Sequence, residues 1–178
     1  MTTLVLTVVG GDRAGLVAEV ADVVAAHGGN WEHSRLAELS GAFAGIIEVS
    51  VPASRADGLR EALRALDGLV AIAVAAAGTP AEVHDAHRFS FQVLGNDRPG
   101  IVKEVTSTLA SLGVGVERMA TETRDAAMAG GRLFEAAIVA TVPVSVEVSR
   151  VRAELERLAA EIQVDVSLGD AAREIPTP

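Results

Sequence analysis

The stretch VVGGDRAGLVAEV at residues 8–20 returns as VLGNDRPGIVKEV at residues 93–105, with eight positions identical at a constant offset of 85. Those positions are Val8, Gly10, Asp12, Arg13, Gly15, Val17, Glu19 and Val20. A repeat of this period restricts the fold more than any other feature, because each copy must be one supersecondary unit built by the same local physics. A single catalytic loop has no use for a copy, so the repeat points to a paired module.

The correspondence runs beyond the loop. Leu4, Leu6 and Val8 alternate with Val5, Thr7 and Val9, while Phe89, Phe91 and Val93 alternate with Ser90 and Gln92. Period two is the pattern of a strand with one buried face. The period then changes. Leu16, Val20, Val23 and Val24 recur at helical spacing, as do Ile101, Val105, Leu109 and Leu112, with Glu19, Asp22, Lys103 and Glu104 on the other side. Gly28 and Gly113 stand where a left-handed C-cap ends a helix.

Two strands follow in each copy. Residues 31–39 and 43–51 flank the hairpin signal Ser40-Gly41, and 116–123 and 132–142 flank the looser RDAAMAGG. A second helix carries Leu59, Leu63 and Leu66 in one copy and Val148, Val151, Leu155 and Leu158 in the other, with Ser54 and Ser145 at the expected N-caps. The last strands are read from 70–75 and from Ile162, Val164, Val166 and Leu168.

The fold class is therefore α+β: two tandem ferredoxin-like βαββαβ units, antiparallel sheets with helices on one face. Residues 1–78 form the first unit, 79–87 a linker, 88–170 the second unit and 171–178 a mobile tail. Units of about 80 residues are small for a stable core, and their sheet edges need cover. The units are expected to pair side by side within the chain or across a homodimer.

Composition narrows the function. Fifteen basic residues against twenty-four acidic give a net charge of −9, which repels phosphate backbones and anionic membrane surfaces, and no helix-turn-helix pattern is present. Direct nucleic-acid and membrane binding are not expected. Cysteine is absent, which removes disulfides, thiolate nucleophiles and Cys-based zinc sites. The N-terminal stretch lacks a basic n-region, and the longest apolar run, Leu69 to Ala77, is far short of the roughly 20 residues a spanning helix needs. A cytoplasmic protein without cofactor or metal is expected.

The repeated loops GGDRAG and GNDRPG lie between first strand and first helix, where glycine permits a sharp turn and helix N–H groups can face an anion. Pro99 suits the first helical turn, with Arg98 before it as the cap. Both loops satisfy GxxxxG, but Leu16 and Ile101 follow where a nucleotide-binding loop needs Lys and then Ser or Thr. Nucleotide hydrolysis is excluded on that ground, and GxGxxG is absent.

A D-R-A-G or D-R-P-G turn ahead of an apolar helix, inside this element order, resembles the ACT domain, a small-molecule regulatory module. Two such units covering nearly the whole chain are similar to stand-alone tandem ACT proteins, the glycine cleavage system transcriptional repressor family above all. The resemblance implies a non-catalytic protein whose ligand is a small amino acid, glycine- or serine-like, bound at paired domains. It also implies a protein partner, a transcriptional regulator or metabolic enzyme. Carried onto this chain, the ligand residues are Asp12, Arg13, Ala14, Gly15 and Leu16 with Gly10 ahead of them, Asn30 at the start of strand two, and Asp97, Arg98, Pro99, Gly100 and Ile101. Gly115 stands where the second copy would carry its asparagine.

The residues leave alternatives open. Asp12 and Asp97, with the Asn30 side-chain oxygen, could accept an ammonium group, or each aspartate could cap its helix. Arg13 and Arg98 could bind a carboxylate or pair with Asp12, Asp97 or Glu104. His84 and His87 beside Asp85 make a weak metal pattern, His27 and His33 could line the pocket, and Trp31 is expected to pack between units. Competing functions are an acylphosphatase-like hydrolase, a constitutive interaction module without ligand, and an RNA-binding sheet stacking bases on Phe89 and Phe91.

Overall fold

The computed structural model describes residues 1–67, 69–76, 86–126 and 131–170. The first unit runs β1 (Thr2–Gly11), α1 (Leu16–Ala26), β2 (Asn30–Leu39), β3 (Ala42–Val51), α2 (Ala56–Arg64) and β4 (Leu69–Ala76). The second runs β5 (Ala86–Asn96), α3 (Ile101–Ser111), β6 (Gly115–Asp125), β7 (Arg132–Pro143), α4 (Val148–Ile162) and β8 (Val164–Asp170). Each is βαββαβ, and the chain divides into compact units at 1–82 and 83–178. Of the expected linker 79–87, residues 79–85 with His84 and Asp85 lie outside the described residues, as do 77–78 and the tail 171–178, while His87 stands in β5.

Both sheets are antiparallel, ordered β2-β3-β1-β4 and β6-β7-β5-β8, so the first strand of each unit is central. Alternation decides which face is buried. Leu4, Leu6 and Val8 of β1 pack with Ile47, Val49 and Val51 of β3 against Val20 and Val24 of α1 and Leu59 and Leu63 of α2. In the second unit Phe89, Phe91 and Val93 pack with Phe134, Ile138 and Val142 against Val105, Leu109, Val151 and Leu155. Phe89 and Phe91 are 7% and 2% exposed and stack on each other at 5.7 Å, so their rings face the core and cannot stack on bases. Trp31 is half-buried and packs against the first unit's own core.

Gly28 and Gly113 end α1 and α3 with φ of 67° and 70°. Gly29 N–H donates to Val24 O and Gly28 N–H to Ala25 O, the paired bonds of a Schellman cap; Val114 and Gly113 repeat them on Leu109 and Ala110. Ser40 and Gly41 turn the β2–β3 hairpin with φ of 52° and 80°, the two positive values of a type I′ turn.

Three local expectations are corrected. Ser54 and Ser145 do not cap helices: α2 begins after Arg55 and α4 after Glu147, neither with a side-chain cap. The cause is a proline-led turn at each place, closed by Arg55 N–H to Pro52 O and Val146 N–H to Pro143 O, which pushes the helix start beyond the serine. Ile162 is the last residue of α4, not part of the final strand; Gln163 then turns the chain in a left-handed conformation with φ 55°. Pro99 precedes α3 instead of opening it, and its N-cap is Gly100, not Arg98.

Candidate functional site

The repeated turn is built the same way twice. Gly15 and Gly100 hold φ 89°, ψ −9° and φ 97°, ψ −9°, the values of the third residue of a type II turn, which only glycine adopts without strain. Proline favours the residue before it, and Pro99 sits there. In the first unit Leu16 N–H closes the turn on Arg13 O at 3.4 Å. The helix ladder starts at once, Glu19 N–H on Gly15 O and Glu104 N–H on Gly100 O. Asp12 N–H donates to Gly41 O at 2.9 Å and Asp97 N–H to Arg132 O at 2.8 Å, which tie each turn to the hairpin end of its own sheet.

The arginines are engaged. Arg13 donates from both terminal nitrogens to Glu19 at 2.6 and 2.5 Å and also to Asp67 O at 3.0 Å. Arg98 does the same to Glu104 at 3.1 and 2.5 Å. Hydrogen bonding to the guanidinium holds both glutamates below the usual carboxylate range. Each arginine thus pairs with the glutamate in the first turn of the helix that follows it; in the first copy the partner is Glu19, not Asp12.

The aspartates do not cap. Neither α1 nor α3 has a side-chain cap, because Asp12 and Asp97 lie three residues ahead of the capping glycine. Asp97 has Arg132 at 4.0 Å, whereas the exposed Asp12 carboxylate has no hydrogen bond or ion pair among the described residues. Ala14, Leu16 and Ile101 contribute backbone at the turn, and the last two bury their side chains at 2% exposure each. Gly10 stands at a register shift in β1. Its counterpart Gly95 serves packing: a Cβ there would lie 2.5 Å from Val164 Cγ1. An open pocket of about 470 Å³ beside it is lined by Asn96, Leu133, Ala159, Gln163 and Asp165 but by none of the residues 97–101.

Asn30 is not brought to the turn. The turn follows Gly11, which pairs with Ala42, whereas Asn30 pairs with Ser50 at the other end of β3. Eight residues of strand at about 3.3 Å each put roughly 26 Å between them. Within one unit, then, Asn30 and Asp12–Leu16 belong to opposite ends of the sheet.

What Asn30 does join is a constellation that the sequence reading missed. The register of β2 shifts between Trp31 and His33 and that of β6 between Val116 and Arg118, so Glu32 and Glu117 are the extra residues of two matching β-bulges. Ser50 Oγ donates to Glu32 at 2.6 Å, and Thr141 Oγ1 donates to Glu117. Hydrogen bonds from Ser50 and then Asn30 hold the Glu32 carboxyl below its usual range. The signal was available: the offset of 85 carries Glu32 onto Glu117. Nearby, His33 lies 3.8 Å from Glu48, while His27 sits at the end of α1 with Nδ1 2.8 Å from Val23 O. Among the described residues no group of three metal-ligating side chains converges, and no helix is long and apolar enough to cross a membrane.

The ACT domain family matches residues 2–74 and 87–169. A protein of unknown function from Galdieria sulphuraria superposes with a TM-score of 0.86 at 32% identity, covering 96% of this chain and 99% of that one. A protein assigned as a glycine cleavage system transcriptional repressor superposes with a TM-score of 0.68 at 23% identity, covering 94% and 96%. No curated protein matches the chain. With the family's pattern over both βαββαβ units, this chain belongs to the ACT-domain family and carries two such domains in tandem.

Proposed function

We propose that the chain is a non-catalytic regulatory protein that binds a small amino acid, glycine- or serine-like, and passes the bound state to a transcriptional regulator or metabolic enzyme by protein contact. The observation that carries this reading is the ACT turn built twice, ahead of helices whose first-turn N–H groups receive no side-chain cap. Such a helix end suits the carboxylate of an amino acid. The likeness to a protein assigned as a glycine cleavage repressor supports glycine as the first ligand to try. The net charge of −9 favours a protein partner over nucleic acid.

A ligand touching both the turn and Asn30 takes them from two ACT units, because about 26 Å of strand separates them in one. Pairing, within the chain or in a homodimer, is thus part of the proposal, and ligand would act by favouring one arrangement of the pair. Acylphosphatase-like hydrolysis is disfavoured by the turn arginine, which in both units already holds a glutamate through two hydrogen bonds.

Calorimetric titration with a panel of free amino acids tests the reading. Saturable heat with glycine or serine is expected. Silence across the panel would replace the sensor by a constitutive interaction module.

A further inference from the structure

The two bulges carry the same carboxylate in different company. On the first unit's outer face Thr3, Ser50 and Asn30 form one cross-strand row beside Glu32. On the second the equivalent row is Arg88, Thr141 and Gly115 beside Glu117. Glu117 receives Thr141 on one oxygen and Arg88 Nε on the other at 2.8 Å. Glu32 receives the neutral Ser50 hydroxyl, has the neutral Asn30 beside Ser50 in the row, and makes no ion pair among the described residues.

We infer that Glu32, with the side-chain oxygen of Asn30, is the seat of a ligand's ammonium group in the first unit, and that the second unit fills the equivalent seat with its own Arg88. Two features point this way. The guanidinium of Arg88 shows that a cation fits at this bulge and bonds the carboxylate there. Where the first unit has Thr3 in its place, the glutamate keeps its charge and lacks the cation. Asn30 stands in the same cross-strand row as Ser50, and its side-chain oxygen can accept a second N–H from the same ammonium. Gly115 offers no such oxygen in the second unit, which already holds its cation. The chain thus carries one open ammonium seat and one closed from within.

This inference rests on the amino-acid-binding reading, and the test separates the two. Wild-type protein, Glu32→Gln and Thr3→Arg are titrated calorimetrically with glycine and with L-serine, and each is melted without ligand. Glu32→Gln keeps acceptors for Ser50 and Asn30 but removes the charge. Thr3→Arg transplants the second unit's cation beside Glu32. Both are expected to weaken binding at least about tenfold, as loss of a charge-assisted hydrogen bond does, with unchanged apo melting. One ligand per chain is expected for the wild type. Wild-type binding that both variants retain would overturn the seat and leave the sensor standing. Wild-type silence toward both ligands would overturn the seat together with the sensor. A folding loss in one variant leaves the decision to the other, since they perturb opposite partners.

Discussion

Set side by side, the two units agree at the turn and diverge in the core. Gly15 and Gly100 share a left-handed conformation, and Arg13–Glu19 is copied by Arg98–Glu104. Yet Leu4 and Leu6 of β1 are answered by the larger Phe89 and Phe91 of β5, all four buried. A core accepts any apolar set that fills its volume, whereas a type II turn accepts one backbone conformation at its third residue. The identities at Gly15/Gly100, Arg13/Arg98 and Glu19/Glu104 therefore mark backbone geometry and charge pairing, while Val8/Val93 and Val20/Val105 keep the same core positions. The substitutions mark packing, where each unit found its own solution.

The largest effect should come from emptying one core and not the other. Phe91→Ala is expected to cost about 3–5 kcal/mol and Leu6→Ala about 2–5 kcal/mol, because both side chains are fully enclosed. Amide hydrogen exchange read residue by residue should show the loss confined to the mutated unit. Protection falling equally in both units would mean that the two cores unfold as one, and the comparison would lose its basis.

The turns come next. Gly15→Val and Gly100→Val each force a branched side chain into the left-handed region, at roughly 1–2 kcal/mol. Space is not the obstacle: a Cβ at Gly15 would meet nothing within 4 Å and one at Gly100 only Glu104 Oε1 at 3.6 Å. Equal drops in melting temperature for the two variants would confirm that backbone conformation sets the cost. No drop at either position would mean that the turn is not held left-handed in solution.

Removing the polar groups at the first unit's two ends should barely affect stability. Asp12→Ala with Asn30→Ala is expected to leave the apo melting temperature within the small range of surface changes, since Asp12 caps nothing and Asn30 is exposed. Amino-acid binding should be lost. A large fall in melting temperature would return Asp12 to a structural role.

Much of this was legible in the residues. The doubled period-two and helical patterns predict both sheets and all four helices, and Gly28 and Gly113 predict the caps that end α1 and α3. What escaped has physical reasons. The helix starts at Ser54 and Ser145 were displaced by turns closing on Pro52 and Pro143, a backbone event that competes with side-chain capping. The bulges at Glu32 and Glu117 sit on outer strands with little buried surface, where no apolar alternation exists to reveal one extra residue. The separation of Asn30 from the turn follows from strand register, which becomes visible only once β1 and β2 are both paired to β3.

The smallest expected effect tests the closest likeness between the units. Glu19 and Glu104 are exposed, so their pairs with Arg13 and Arg98 are screened by water and salt and contribute little to stability. Their sign is still defined. Each carboxyl titrates below its ordinary value near 4.5 in the folded chain, chiefly through the arginine hydrogen bond. The contribution is present above that value and is lost as pH falls through the lowered one. Carboxyl titration by NMR should therefore find Glu19 and Glu104 both depressed, and Arg13→Ala or Arg98→Ala should return only the partner in the same unit to the ordinary range. High salt should narrow the depression in both. If one glutamate titrates normally in the wild type, that unit's clamp is open in solution, and its arginine becomes available to a ligand carboxylate after all.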